Sequence, residues 1–442
     1  MKYTNYIGML KDKPQDKTAI ITEEKGYTYG EIIKMAKEVR IELPKNVVCV
    51  IREKTILKQL IKFIACMMHG VVPMIAPYDT KILPKECESD DFRAPDGACM
   101  AVMTSGTTGV PKILFRTFES WAGYFEVQNK IFGIDSDSVL LAQGSLAFTG
   151  NMNLYLAQFY AGATIVAEDS FNPELWVKHM IDYNVNSIYL IPSKLLLLPG
   201  VIRSMYRKGH IKEEKFNRIK TILSGSQSLG KEDTIKLKSV FTDTKIVLYY
   251  GASELNYISY VTDEEMTSDR NLIGRPFPEV DIKVIDESIY IDTKYHVMGI
   301  ECPYTLNDKG YIDDEGRLYF LGRSDDIMNI KGRKVSSVRI QNEIESLPGI
   351  SESSVMLIED SGKQVLTAFV VRDKYNVDKT SESEDKCSYK NISDEEKEML
   401  RKTLAHYEMP RRFIVMDSLP KNESGKINTD ELKKMYEISR RV

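Results

Sequence analysis

Thr104-Ser105-Gly106-Thr107-Thr108-Gly109-Val110-Pro111-Lys112 gathers hydroxyl side chains, glycines and a lysine directly after an apolar, strand-like run at 98–103. Such a run followed by glycine and hydroxyls predicts a loop leaving a strand. The glycines let backbone N–H groups turn toward an anion with no Cβ in the way. The hydroxyls add donors, and Lys112 adds a point charge. That is chemistry suited to a polyphosphate. It is not the P-loop pattern, because the Gly-to-Lys spacing differs and no Ser or Thr follows the lysine. Taken alone, a loop of this composition is equally well a flexible connection.

Two further segments decide between these readings. Tyr249-Tyr250-Gly251-Ala252-Ser253-Glu254 follows the apolar run 246–248, and Leu419-Pro420-Lys421-Asn422-Glu423-Ser424-Gly425-Lys426-Ile427 stands near the C-terminus. With Thr28-Tyr29-Gly30-Glu31, Gly274-Arg275-Pro276 and Gly322-Arg323-Ser324-Asp325-Asp326 in the same order, the chain resembles the adenylate-forming superfamily. That superfamily comprises acyl-CoA synthetases, peptide-synthetase adenylation domains and luciferases. The resemblance covers nearly the whole chain and lies nearest to short bacterial fatty-acid or long-chain acyl-CoA ligases.

The resemblance implies roles residue by residue. Thr104, Ser105, Gly106, Thr107, Thr108, Gly109 and Lys112 would hold the phosphates of ATP. Glu254, helped by Thr107, would ligate Mg²⁺, a hard cation that takes carboxylate and phosphate oxygens. Tyr250, in the motif with Gly251 and Ser253, would stack on adenine. Gly225 and Ser226 would line the nucleotide and acyl pocket. Relatives usually read Gly-Gly-Ala in that segment, so Ser226 and Gln227 depart from the pattern. Asp308, in Leu306-Asn307-Asp308 where relatives usually read Thr-Gly-Asp, would accept the ribose hydroxyls. Arg323 would contact the ribose as well, and Asp325 would be the hinge. Lys426 would neutralise charge where the attacking carboxylate meets the α-phosphate, with Lys112 and Glu254 completing the catalytic set.

Phe148 falls in the acyl-pocket segment Ala147-Phe148-Thr149-Gly150-Asn151. Amino-acid-activating relatives place an aspartate in that segment and many acyl-CoA synthetases a histidine; neither is present. Fatty or aryl acids are therefore expected, with coenzyme A as thiol acceptor and a carrier-protein phosphopantetheine as the alternative. Retention of Lys112, Glu254, Arg323 and Lys426 together argues against a nucleotide-binding regulator without turnover. A serine hydrolase lacks its Gly-x-Ser-x-Gly elbow here, and no Gly-x-Gly-x-x-Gly follows a strand.

Length and composition agree. A chain of 442 residues exceeds one hydrophobic core of ~250–300 residues, so two domains are expected. A net charge of −4 gives no electrostatic case for nucleic acid. Six scattered cysteines without a Cys-x-x-Cys pair read as reduced thiols in the cytoplasm. The most apolar window, 63–77, is broken by His69, Gly70 and Pro73. It is too short for the ~20 residues of a membrane span, and reads as a helix followed by a buried strand.

Strand-length apolar runs at 47–51, 71–75, 99–103, 164–166, 187–191, 221–223 and 246–248 alternate with amphipathic stretches such as 29–41 and 173–183. The fold class expected is α/β, with a large N-terminal domain (1–321) of layered, largely parallel sheets and helices. A small α+β C-terminal domain (322–442) follows, with helices at 337–347 and 393–405, strands at 352–358 and 364–371, and a polar surface loop at 372–390.

Overall fold

The structure is a computed structural model and describes residues 3–22, 25–80, 83–89, 91–104, 111–323, 326–330, 333–360, 363–372, 392–421 and 427–439. The loop residues Ser105, Gly106, Thr107, Thr108 and Gly109, the hinge candidate Asp325, and Lys426 lie outside the described residues, as does nearly all of the polar stretch 372–390.

A thirteen-stranded sheet dominates the N-terminal part. Its central strands, in spatial order Lys245–Ala252, Thr221–Gly225, Ser187–Tyr189, Val139–Gln143, Thr164–Glu168 and Thr18–Ile21, are all parallel. From Lys245–Ala252 outward the sheet turns antiparallel through Asn256–Thr262, Leu272–Pro276, Leu318–Arg323, Asp308–Ile312, Ser288–Asp292 and Asp281–Ile285. Helices cover both faces. Thr149–Ala161 belongs to one buried cluster, and Pro173–Asp182 and Leu198–Arg207 to the other. Strands buried on both faces read as continuous apolar runs, which is why four of these six are legible in sequence; Thr18–Ile21 and Val139–Gln143 are additions from the structure.

A second, four-stranded sheet holds Val48–Ile51, Val72–Ile75, Met100–Thr104 and Lys112–Arg116. The last two are antiparallel, with Thr104 opposite Lys112. The apolar window 63–77 resolves into the end of helix Ile56–Met68 and the buried strand Val72–Ile75. Among the described residues, no helix is long and apolar enough to cross a membrane.

Local sequence explains the boundaries. Thr28 and Glu31 form a reciprocal capping box that starts helix Tyr29–Glu38: Glu31 N donates to Thr28 Oγ1 (3.1 Å) and Thr28 N to Glu31 Oε2 (2.8 Å). Two otherwise unsatisfied N-terminal N–H groups are thereby bonded. At the start of Pro173–Asp182 the Asn172 side chain accepts from Leu175 N (3.1 Å), a one-way cap.

The C-terminal part packs Ile350–Asp360, Lys363–Arg372 and Arg412–Met416 into one sheet, with helices Ser337–Glu345 and Asp394–Thr403 on one face and Thr429–Ser439 on the other. It docks on the large sheet through polar contacts. Asn342 Nδ2 donates to Asn271 Oδ1 (2.8 Å), and Asn342 Oδ1 accepts from Ser228 Oγ (2.7 Å). Arg270 pairs with Asp233 and lies 3.5 Å from Glu345.

Gly274, in Gly-Arg-Pro, has φ +85°, and a Cβ there would lie 1.9 Å from the Tyr260 carbonyl oxygen. Gly299 has nearly the same φ, +84°, with nothing within 4 Å of such a Cβ. We expect Gly274→Ala to cost about 3 kcal/mol or more, from a backbone clash added to conformational strain. Gly299→Ala should cost only about 1 kcal/mol, from strain alone. Urea denaturation of both variants checks the difference.

Candidate active site

The carboxyl ends of the central strands open on one side of the sheet, the usual location of ligand crevices in open α/β sheets. Strand Lys245–Ala252 delivers Tyr250 and Gly251 there, and the turn that follows delivers Ser253 and Glu254. Gly251 leaves no room for a side chain, since a Cβ would lie 2.6 Å from the Asn256 carbonyl oxygen. Gly225 ends the neighbouring strand against the Tyr249 ring, 2.7 Å from where a Cβ would stand.

Three residues far apart in sequence meet at this end. Asp308 and Arg323 face each other across adjacent antiparallel strands, with Arg323 Nε 3.5 Å from Asp308 Oδ1. The Tyr250 hydroxyl donates to Asp308 Oδ2, and the Tyr250 ring lies 5.8 Å from Phe320. Asp308 is buried while Arg323 is exposed. Burial raises the Asp308 carboxyl above the ordinary aspartate range, and the Tyr250 hydroxyl and Arg323 pull against it. The structure therefore brings Tyr250, Asp308 and Arg323 together, with Glu254 close enough to act electrostatically on Tyr250 and Asp308.

Phe148, half-buried, leads into helix Thr149–Ala161, and Thr149 Oγ1 lies 2.9 Å from Ser253 Oγ. One hydroxyl pair thus joins the acyl-pocket segment to the Tyr-Gly-Ala-Ser-Glu turn. Thr104 and Lys112 end the two strands that bracket 105–110, with Lys112 exposed. Among the described residues no three His, Cys, Asp or Glu side chains gather as a metal site. Glu254 offers carboxylate oxygens, the donor type that Mg²⁺ takes beside phosphate oxygens and water.

The departures from the family pattern have conformational content. Ser226 has φ +70° and Asn307 φ +62°, the left-handed region that glycine enters freely. Asn307 stands where relatives usually have glycine, and asparagine is among the residues that tolerate this conformation best. The altered flank therefore keeps the turn that presents Asp308. Ser226 is a less suitable occupant and carries the strain.

Arg116 is a functional candidate that the sequence does not announce. It is 2% exposed and bonds three segments at once: Nη1 donates to the carbonyls of Ser120 (3.1 Å) and Tyr295 (2.9 Å), and Nη2 to that of Ser253 (2.7 Å). Burial pushes its guanidinium down to about 10, and Cys99 and Glu254 act the other way. Val297 N donates to the Glu254 carbonyl and Met298 N to that of Phe115, each at 2.8 Å. Segment 295–298 thus stitches the Glu254 turn to strand Lys112–Arg116. The only sequence signal is an arginine closing the apolar run Ile113-Leu114-Phe115.

Residues 77–291 match the family model described as AMP-binding enzyme, and residues 339–426 match AMP-binding enzyme C-terminal domain. The chain is similar to an uncharacterized acyl-CoA ligase of Bacillus subtilis, YhfT, at 24% identity over 76% of this chain and 68% of that protein. It is 25% identical to a putative long chain fatty acid-CoA ligase, VraA, of Staphylococcus haemolyticus, over 75% of this chain and 69% of that one. The fold matches an anthranilate CoA ligase, AuaEII, solved with anthranoyl-AMP, with TM-score 0.79, 15% identity, and 100% and 98% of the two chains covered. It also matches the o-succinylbenzoate-CoA synthetase MenE of Bacillus subtilis, solved with ATP and magnesium, with TM-score 0.74, 18% identity, and 97% and 98% covered.

Two outcomes follow from the electrostatics. The Asp308 pKa is raised on folding, so the unfolded chain releases this proton first as pH rises. The stability it supports is intact below about pH 4 and is lost as pH climbs through the folded-state value. Asp308→Asn should therefore melt higher than the parent at pH 7, with the gain vanishing below about pH 4, as read by thermal scans across pH. Arg116→Met leaves buried carbonyls without donors and should cost about 3 kcal/mol. Arg116→Lys should recover part of that in the same denaturation assay.

Proposed function

The chain belongs to the AMP-binding enzyme family, and on that premise we propose that it is an AMP-forming acid–thiol ligase. A carboxylic acid attacks the α-phosphorus of ATP, giving an acyl-adenylate and pyrophosphate. The thiol of coenzyme A then takes the acyl group and releases AMP. The observation that carries this reading is the meeting of Tyr250, Asp308 and Arg323 beside Glu254, in a chain whose similar proteins are named as CoA ligases.

The residues divide the work. Both reactants of the first step are anionic, so catalysis rests on charge neutralisation and positioning. Asp308 and Arg323 receive the ribose, Tyr250 and Gly225 border the adenine, and Thr104 and Lys112 carry the loop that grips the phosphates. Glu254, with Thr107 and the phosphates, would hold Mg²⁺, which would supply countercharge for the departing pyrophosphate. Lys426 supplies charge at the reacting carboxylate, and Asp325 is the point about which the C-terminal domain, from residue 322 onward, changes pose between the two steps.

The substrate is a fatty or aryl acid and not an amino acid, because the segment around Phe148 holds no acid to pair an α-ammonium. Long-chain fatty acid activation in the name of one similar protein supports the fatty side of this range. The enzyme works in the cytoplasm, with its cysteines reduced.

Pyrophosphate release measured across fatty, aryl and amino acids, with and without coenzyme A, tests the proposal. We expect release with at least one fatty or aryl acid, thioester only when coenzyme A is present, and background with every standard amino acid. Glu254→Ala should remove the signal from a protein that still melts cooperatively. Robust turnover of an amino acid, or full activity of Glu254→Ala, would overturn the assignment.

A further inference from the structure

The central sheet reverses its direction of growth beside strand Val139–Gln143. The chain passes from that strand to Thr164–Glu168 on one side, then returns to Ser187–Tyr189 on the other. Crevices at such reversal points, outside the carboxyl ends of the strands, are where open α/β sheets take their ligands. Here the side chains at the reversal point are polar. Gln143 closes its strand, and Asn151 Nδ2 donates to the carbonyls of Ser145 (3.1 Å) and Gln143 (3.4 Å). Ser193 N donates to Gln227 Oε1 (3.0 Å), which leaves the Gln227 amide nitrogen as a further donor. Between them Lys194 Nζ donates to Gln143 Oε1.

Lys194 is half-buried, and among the described residues its bonded partner is a neutral amide and not a carboxylate. Burial and the like charge of Lys421 push its ammonium down to about 8. A partly desolvated cation with a single neutral acceptor is unsaturated in charge and in hydrogen bonds, since an ammonium has three donors. A purely apolar acyl chain entering this crevice would strip water from that group and give nothing back.

We propose that the acid activated here carries a second carboxylate, which Lys194 binds with the amide donors of Gln143 and Gln227. This rests on the acid-activating reading and narrows it from monoacids to aliphatic or aryl dicarboxylic acids. Lys194 is then a specificity-determining residue, remote from the reacting carboxylate and reached from the opposite end of the substrate.

The test is ATP–pyrophosphate exchange without coenzyme A, using matched pairs: hexanoate and adipate, octanoate and suberate, benzoate and terephthalate. The parent enzyme should favour a diacid over its matched monoacid in kcat/KM. Lys194→Met should lower that ratio about tenfold or more, mainly through KM, as expected for loss of a charged hydrogen bond. Lys194→Arg should keep the preference, and Lys194→Gln replaces the methionine variant if that one does not fold. Preference for monoacids throughout, or an unchanged ratio in Lys194→Met, overturns the proposal. So does a Lys194→Met defect confined to the KM for coenzyme A in the complete reaction, which would assign the lysine to a thiol phosphate. Exchange with monoacids alone would leave acid activation standing and sink only the diacid claim. No exchange with any acid would sink both.

Discussion

A guanidinium removed from water has to find acceptors, and Arg116 finds three carbonyls belonging to three separate stretches of chain. Each bond by itself is modest, but leaving any of those carbonyls bare inside the protein would cost more than the bond contributes. The arrangement is therefore nearly all-or-nothing. It fixes the start of helix Phe118–Ala122, the segment around Tyr295 and the Ser253–Glu254 turn relative to the strand that begins at Lys112. The residues proposed for phosphate and for metal thus sit on a common rigid frame, although one comes from the four-stranded sheet and the other from the large one.

The same logic of satisfied buried groups links the nucleotide end to the acyl end. Tyr250 spends its hydroxyl on Asp308, and Ser253 shares a hydrogen bond with Thr149 at the start of the helix that follows Phe148. Few atoms separate the place proposed for ribose from the place proposed for the acid. Positioning of this kind converts binding energy into a correctly aligned attack.

How far the amino-acid sequence speaks for itself depends on what each residue is doing. Most of the parallel strands are legible because burial on both faces leaves uninterrupted apolar runs, and helix Tyr29–Glu38 because its residues form an amphipathic stretch. Strand Asn256–Thr262 is concealed, since the chain folds back after a turn too brief to register and closes it with Asn256 at φ +67°. Strand Lys112–Arg116 is concealed by its charged ends. In the site, glycines and hydroxyls in dense motifs are readable, whereas Arg116 and Lys194 look like ordinary solvated cations. Only the fold reveals that one is sealed from water and the other is half-buried against Gln143 where the sheet reverses. The unusual residues at 226 and 307 look like damage to a motif in sequence. The backbone gives them a different meaning, because asparagine at 307 preserves a left-handed turn by its own short amide chemistry.

Asn342 has a consequence for motion. Its amide joins the two halves of the molecule by one donated and one accepted hydrogen bond, and both can be exchanged for water at little net cost. A latch of this type, beside the Arg270–Glu345 contact, selects one orientation of the small unit through contacts that water can replace. For the change of pose proposed above, a ligand need not force the parts to turn. It needs only to fit one arrangement better than the other, and the population follows.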